Sequence, residues 1–250
     1  MATSNTDKFI ELLPAGISVD GDAVGSVLLR EYGSVFGAKN VTVPPTVVFM
    51  NERQVTEFQS KLKTQRHTFD ELELTLQNEA MSQLIQARSA AENLGLSISP
   101  RGADSAARTY RHTIELWASR VEPGLDHWVR EKRMPAEEAS KIRSMSPFEQ
   151  VSEIFKLEAR GIYFAKDLSK SIIYSVAPPG ASQHLSLLAF DVSEFDQPEI
   201  RNILSRHGWH QTVTSDLPHF TYLGTPESEL ADRGLKRVEN AGRHFWIPDL

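Results

Sequence analysis

Apolar residues in the middle of the chain recur mostly at helical intervals. Between Phe69 and Asn93 they are spaced by three to five residues, which predicts one long amphipathic helix with Gly95 as its C-cap. A helix is predicted from about Ser105 to Ser119, where Tyr110, Ile114 and Trp117 would lie on one side. Further helices are predicted from Pro135 to Arg143 and from Pro147 to Arg160, because proline favours the first turn of a helix.

Residues 171–250 change to short runs of β-branched and aromatic residues, which are typical of strands. The predicted strands are Ile172–Val176, Leu185–Val192, Gln211–Thr214, Phe220–Leu223 and His244–Ile247, with a helix from Pro198 to Arg206 among them. Helices first and strands later predict an α+β fold, in which helices pack on a small antiparallel sheet.

The start of the chain has a different pattern from the rest. It combines an apolar segment at Val27–Phe36, a break at Pro44–Pro45, a strand-like Thr46–Phe49 and a helical Gln54–Lys63. We therefore expect residues 1–66 to form an N-terminal α/β extension, whose role the sequence leaves open. Residues 67–250 are expected to form the domain that carries the chemistry.

Composition narrows the classes of function. With 250 residues, 40% hydrophobic and 24% charged, the chain is typical of globular proteins, and its net charge of −6 argues against nucleic-acid binding. No apolar run is long enough to span a membrane. The absence of cysteine excludes thiolate zinc sites, so any metal must be held by His, Asp or Glu. Oligomeric state is left open.

The first candidate site surrounds an apolar stretch that contains His184 and Asp191. Buried polar side chains need partners, so these two residues either satisfy each other or bind a cation together. Their offset of seven residues is odd, and a regular strand would point them to opposite faces. We therefore expect His184 to lie in a loop before the strand, or a bulge to interrupt it.

The second candidate stretch is Asp216-Leu-Pro-His219, in which His219 enters a predicted strand. Two histidines and one aspartate leave a fourth tetrahedral position open, as in catalytic zinc sites. A zinc ion there would lower the pKa of water to about 7, and Asp216 would serve as the general base. From spacing alone, ordinary core or surface histidines remain an alternative.

The combined pattern resembles the zinc D-Ala-D-Ala carboxypeptidase and dipeptidase superfamily, which includes vancomycin-resistance enzymes, phage endolysins and the hedgehog domain. That superfamily has a Ser-x-His-x-x-Gly-x-Ala-x-Asp stretch and a later Glu-x-x-His. Ser182, His184, Ala189, Asp191 and His219 stand at matching positions. The resemblance covers about residues 80–224.

The sequence departs from the family pattern at two positions. Leu187 replaces the family glycine, and Asp216 replaces the catalytic glutamate, which shortens the base by roughly 1.5 Å. The resemblance also implies an arginine that stabilises the oxyanion. Arg101 is the candidate for that role and Arg108 is its backup, while Ser182 and Arg108 are expected to bind substrate.

The resemblance implies a zinc metallopeptidase, with Zn²⁺ on His184, Asp191 and His219, that hydrolyses a D-Ala-D-Ala-type bond in bacterial peptidoglycan peptides. A murein endopeptidase is the nearest variant. A zinc-binding domain that recognises cell-wall or protein ligands without catalysis is the alternative, and a metal-free His–Asp pair is a third. The protein is expected to be periplasmic or secreted with its signal removed, or cytoplasmic, because no signal-like segment is seen.

Overall fold

The computed structural model describes residues 4–19 and 22–250, which form an α+β protein. The α-helices of this part are α1 (Asn5–Leu12), α2 (Ala23–Tyr32), α3 (Glu52–Gln59), α4 (Asn78–Glu92), α5 (Tyr110–Arg130), α6 (Ala136–Arg143), α7 (Pro147–Glu158) and α8 (Pro198–Arg206). The strands are β1 (Thr64–Phe69), β2 (Leu72–Gln77), β3 (Ala189–Asp191), β4 (Trp209–His210), β5 (His219–Tyr222), β6 (Leu235–Asn240) and β7 (Arg243–Pro248). None of the described helices is both long and apolar enough to cross a membrane.

The described chain divides into two compact units. The first unit comprises the described residues up to 47 together with 56–108 and 183–250, and the second comprises 48–55 and 109–182. The boundary expected after residue 66 falls within β1. Residues 1–3 and 20–21 of the expected N-terminal extension lie outside the described residues.

The first unit is built around a three-stranded antiparallel sheet in the order β3-β5-β4. Its apolar face is covered by α4 and α8, and α8 contributes Ile200, Ile203 and Leu204, whose spacing places them on one side of the helix. Phe190 of β3 pairs with Phe220 of β5, and both side chains are buried in this core. Because side chains alternate along a strand, the residues next to these phenylalanines face the other side of the sheet.

Two hairpins complete the strands of the first unit. β1 pairs with β2, and β6 pairs with β7, both antiparallel. The turn between β6 and β7 has positive φ angles at Ala241 (50°) and Gly242 (69°), as a type I′ hairpin turn requires.

The second unit is mainly helical. The buried face of α5 carries Trp117, Val121, Leu125 and Trp128, which recur at helical spacing. Helix α7 begins with a capping box, in which the Ser146 hydroxyl accepts from the backbone N–H of residue 149 while the carboxylate of that residue accepts from the Ser146 N–H.

The long helix predicted from Phe69 is wrong for the segment that precedes α4. Residues 69–77 instead contain the last residue of β1, a turn and strand β2, and Asp70 in the turn is in the left-handed region at φ 50°. Leu72, Leu74 and Leu76 alternate with polar residues, which is the strand period, and pairing with β1 buries Leu74 and Leu76. The C-terminal half of the prediction is confirmed, with Gly95 at φ 70° just beyond α4.

Several other predicted elements differ from the observed ones. The helix expected from Ser105 begins at Tyr110, because Thr109 caps it, and it continues to Arg130. Ile172–Tyr174 is a short 3₁₀ helix rather than a strand, and Leu185–Val192 contains only the short strand β3. The stretches predicted as strands at Thr46–Phe49 and Gln211–Thr214 contain no strand. The predictions of α6, α7, α8, β5 and β7 are confirmed.

Candidate metal centre

His184 reaches the site from a turn rather than from a strand. It lies in a 3₁₀ helix, Gln183–Ser186, and Leu187 follows this helix before β3 begins at Ala189. Leu187 has φ 57°, which is a left-handed conformation that glycine adopts more readily than leucine. This turn removes the difficulty of the odd offset and lets His184 and Asp191 face the same point.

Asp191 and His219 meet through the register of the sheet. Asp191 at the end of β3 is directly opposite His219 at the start of β5. Directly opposite residues of an antiparallel pair project their side chains to the same face, with Cβ atoms about 5 Å apart. The side chains therefore lie side by side on the face opposite the Phe190–Phe220 core.

Three potential ligand atoms converge at this point. The Oδ1 of Asp191 lies 3.3 Å from His184 Nε2 and 3.1 Å from His219 Nδ1. One ligand atom from each residue lies within 4.8 Å of the other two. His184 is 1% exposed and His219 is 4% exposed, so the group is shielded from bulk water. This arrangement has the residue types and the spacing of a site that can bind a metal ion.

The protonation of His184 supports a cation at this point. Its Nδ1 lies 3.1 Å from the carbonyl oxygen of Ala106, so Nδ1 carries the proton and donates it. Burial lowers the pKa of His184, and the opposing effect of Asp191 does not reverse that shift. The ring is therefore neutral near pH 7, and its Nε2 is a buried lone pair without a hydrogen-bond partner among the described residues. A proton or a metal cation between Nε2 and the carboxylate oxygen at 3.3 Å would relieve this contact.

Arg108 holds the other oxygen of the Asp191 carboxylate. Its guanidinium donates to Oδ2 at 2.8 Å, and its Nε lies 3.5 Å from the more exposed Asp104. Burial alone raises the pKa of Asp191, but the polar and charged side chains around the carboxylate outweigh burial and lower that pKa well below its usual range. Asp191 is thus a carboxylate near neutral pH, with Oδ1 turned towards the imidazoles.

The segment that contains Arg108 supports Asp191 through its backbone as well. The amide of Asp191 donates to the carbonyl of Ser105 at 2.9 Å, and the amide of Arg101 donates to the carbonyl of Asp191 at 3.2 Å. The same segment supplies the Ala106 carbonyl that orients His184. One loop therefore fixes two of the three candidate ligands.

Sequence reasoning missed Gln183, which sits against His219. Its Oε1 lies 2.8 Å from His219 Nε2 and 2.5 Å from Thr221 Oγ1. Its Nε2 donates to the carbonyl of Tyr32 at 2.7 Å. Gln183 occupies the variable position between Ser182 and His184, so the pattern itself gave no signal for it. The one related signal is Thr221, which lies two residues after His219 and therefore on the same face of the sheet, where its hydroxyl group needs a polar partner.

The remaining candidate residues lie at varying positions around this centre. Asp216 has an exposed side chain in a turn, and its backbone carbonyl accepts from the amide of His219 at 3.1 Å. The guanidinium of Arg101 is exposed and lies 5.8 Å from the centre of the Phe195 ring. Ser182 is buried and directly precedes Gln183. The structure thus brings Arg108 together with the three candidate ligands, and it leaves Asp216 and Arg101 outside their ligand cluster.

The arrangement of two imidazoles and a carboxylate is suited to binding a divalent cation, because each histidine is oriented through its other ring nitrogen. Among the described residues, two histidines and one aspartate converge at this point, and a tetrahedral metal held by these three would have a fourth position for water or substrate. In comparisons with known proteins, no family model, no curated protein and no solved structure matches the chain.

Proposed function

We propose that this protein is a zinc-dependent peptidase that hydrolyses a D-Ala-D-Ala-type bond in peptidoglycan peptides. The observation that carries the proposal is the convergence of one ligand atom each from His184, Asp191 and His219 within 4.8 Å. Asp191 Oδ1 lies 3.3 Å from His184 Nε2 and 3.1 Å from His219 Nδ1. The sequence pattern around the same three residues supports the substrate class through its resemblance to the zinc D-Ala-D-Ala peptidases. Geometry and pattern therefore select the same residues by different routes.

Two imidazole nitrogens and one carboxylate oxygen fit zinc better than magnesium or calcium, which prefer oxygen ligands. His184, Asp191 and His219 would hold the ion, and no cysteine competes for it. When bound, zinc supplies Lewis acidity that polarises a carbonyl group and makes water nucleophilic at neutral pH. Nickel, copper and iron accept similar ligands, so the metal present in the purified protein must be identified.

The residues of this chain have distinct roles in the proposed reaction. Arg108 holds Oδ2 of Asp191 and thereby turns Oδ1 towards the metal position. Asp216 would accept a proton from the attacking water on its carboxylate and pass it to the departing amine. Its carboxylate is exposed outside the ligand cluster, so this role would require the turn before His219 to move. Arg101 would leave Phe195 to contact the oxyanion.

A second candidate function is metal-dependent recognition of a cell-wall or protein ligand without catalysis. It is favoured by the exposed position of Asp216 and by the placement of the Arg101 guanidinium over Phe195. In this case the ion would order the loop around His184 and Asp191, and neither Asp216 nor Arg101 would be needed. The two candidates differ in whether replacing Asp216 changes a rate.

The deciding experiment measures metal content by mass spectrometry and release of D-Ala from a Lys-D-Ala-D-Ala peptide. The variants are His219→Ala, Asp216→Ala and, as a control, His244→Ala, whose imidazole is exposed on β7. We expect about one zinc per chain with D-Ala release in the wild type and in His244→Ala. His219→Ala should lose both, and Asp216→Ala should keep the zinc but lose release.

Each other outcome has a clear meaning. Zinc without release in the wild type supports the recognition function or a different scissile bond, such as that of a murein endopeptidase. Release that survives Asp216→Ala removes Asp216 from the mechanism. Protein purified without chelator that contains no metal and binds none on titration refutes the metal centre itself.

A further inference from the structure

Gln183 has no role in the function proposed above, yet its Oε1 lies 2.8 Å from Nε2 of His219, closer than the Thr221 hydroxyl oxygen at 3.5 Å. Gln183 is 4% exposed, and its amide is engaged at both ends. We propose that Gln183 is a positioning residue, which holds His219 in the Nε2–H tautomer so that Nδ1 is free to bind the metal. This inference rests on the proposed metal centre, but it concerns the metal-free protein as well.

The orientation of the Gln183 amide follows from its neighbours. Its Nε2 lies 2.7 Å from the carbonyl oxygen of Tyr32, which can only accept, so the nitrogen of the amide must point there. The oxygen of the amide therefore points towards His219 and Thr221. Each of its two lone pairs faces one potential donor, at 2.8 Å and 2.5 Å. A flipped amide would place two acceptors against each other at Tyr32.

His219 has two possible neutral tautomers, and they have opposite consequences for metal binding. With the proton on Nδ1, the ring donates to Asp191 Oδ1 at 3.1 Å, and the nitrogen needed by the metal is blocked. Its Nε2 lone pair would then face the Gln183 oxygen at 2.8 Å, which is a contact between two acceptors. With the proton on Nε2, Gln183 accepts it, and the Nδ1 lone pair faces Asp191 Oδ1 at 3.1 Å, a contact that a bound cation would relieve. Gln183 thus favours the tautomer that can bind a metal.

Two hydroxyl groups keep Gln183 in this orientation. Thr221 Oγ1 lies 2.6 Å from Thr212 Oγ1, and both threonines are fully buried. Since Thr221 donates to Gln183, its oxygen accepts from Thr212, so the chain of donors ends on the Gln183 oxygen. His184 is oriented in the same way by a carbonyl oxygen, that of Ala106. Each histidine of the centre therefore has its own acceptor on the side away from Asp191.

The test compares Gln183→Leu with Gln183→Glu and with the control Gln77→Leu. Gln77 is equally buried, and its amide also bonds the backbone, at Thr42 and Ser186, but no hydrogen bond joins it to His219. The first readout is the tautomer of His219 in metal-free protein, from long-range proton–nitrogen NMR correlations. The second is zinc affinity at fixed pH, by competition with a chromophoric chelator.

We expect a larger share of the Nε2–H tautomer in the wild type and in Gln77→Leu than in Gln183→Leu. Gln183→Glu keeps an oxygen that accepts from Nε2 but places its second oxygen against the Tyr32 carbonyl, so it should keep the tautomer while unfolding more easily. Gln183→Leu should shift His219 to the Nδ1–H tautomer and weaken zinc binding by about 10–100-fold, the range found when partners of metal-bound histidines are removed. A merely structural role would affect both leucine variants equally and would leave the tautomer unchanged.

Two results would overturn the inference. One is an Nδ1–H tautomer of His219 in the wild type, a result that does not depend on whether any variant folds. The other is wild-type zinc affinity and an unchanged tautomer in Gln183→Leu. If the wild type binds no zinc, the proposed metal centre fails, while the tautomer of His219 in the variants still decides the role of Gln183.

Discussion

Replacing Asp191 by asparagine removes one negative charge from the centre with little change in shape. In the wild type this carboxylate accepts from Arg108 at 2.8 Å, and both side chains are largely buried, at 13% and 15% exposure. Removing one partner of a buried ion pair costs about 3–5 kcal/mol, because the other charge stays buried without compensation. Arg108 keeps Asp104 at 3.5 Å, so we expect the lower end, about 3 kcal/mol, for metal-free Asp191→Asn.

The matched control is Asp104→Asn, which removes a carboxylate from the same arginine. Asp104 is 47% exposed and more distant, so its loss should cost no more than about 1 kcal/mol. The difference of about 2 kcal/mol corresponds to roughly 4–8 °C in the thermal midpoint of a chain of this size. Urea unfolding of both variants in the presence of a chelator gives the two free energies directly.

Zinc adds a second, independent readout to the same variants. A ligand at 100 times its dissociation constant stabilises the folded state by about 2.7 kcal/mol. Asp104→Asn should keep this zinc-dependent increase, whereas Asp191→Asn should lose most of it because one of three ligands is gone. Equal destabilisation of the two variants in chelator would refute the reasoning about the buried pair. A full zinc response in Asp191→Asn would remove Asp191 from the ligand set.

Three further predictions concern other parts of the chain. Burial raises the pKa of Glu158, so its carboxyl group binds a proton more tightly in the folded state than in the unfolded state. The free energy of unfolding should therefore decline as the pH rises above about 4.3, the usual pKa of glutamate. Glu158→Gln should remove that part of the decline in urea titrations across this range, and an unchanged pH profile would contradict it. Gly124→Ala should lower the free energy of unfolding in urea by about 1–3 kcal/mol, because the added Cβ would lie 2.4 Å from the Phe164 ring. An unchanged free energy of unfolding would show that the ring moves away freely. Thr221→Val leaves the Gln183 oxygen in place as the acceptor for His219, so zinc affinity in a chelator competition should fall less than tenfold. A larger loss would mean that the Thr221 hydroxyl group is the main contact that orients the Gln183 amide.

Local signals predicted those elements that carry their own start, stop or period. Helices α6, α7 and α8 begin at or just after a proline, and β5 and β7 are short runs of aromatic and β-branched residues. The segment before α4 was misread because its leucines fit both a helical and an alternating pattern over a short window. Pairing with β1 resolved the ambiguity, and that contact is not visible in the local sequence.

The candidate ligands illustrate the same division. His184, Asp191 and His219 were selected from sequence spacing and family resemblance, and the structure brings their ligand atoms within 4.8 Å. The expectation that His184 lies in a loop before the strand agrees with its 3₁₀ turn. Arg101 and Asp216 were chosen by analogous position, and the packing of Arg101 over Phe195 depends on contacts that no spacing could indicate.

The α+β class, the residue types available for a metal and the absence of thiolate ligands could all be inferred from composition and local periodicity, which express them directly. Which atoms face one another depends on the folded arrangement of distant segments. The register of β3 and β5 sets Asp191 beside His219, and the loop around Ala106 supplies the carbonyl for His184. The pairing of Gln183 with His219 likewise depends on the tertiary structure. Hydrogen-bond partners are fixed by distance and direction in space, and residues far apart in sequence reach that arrangement only when the chain is folded.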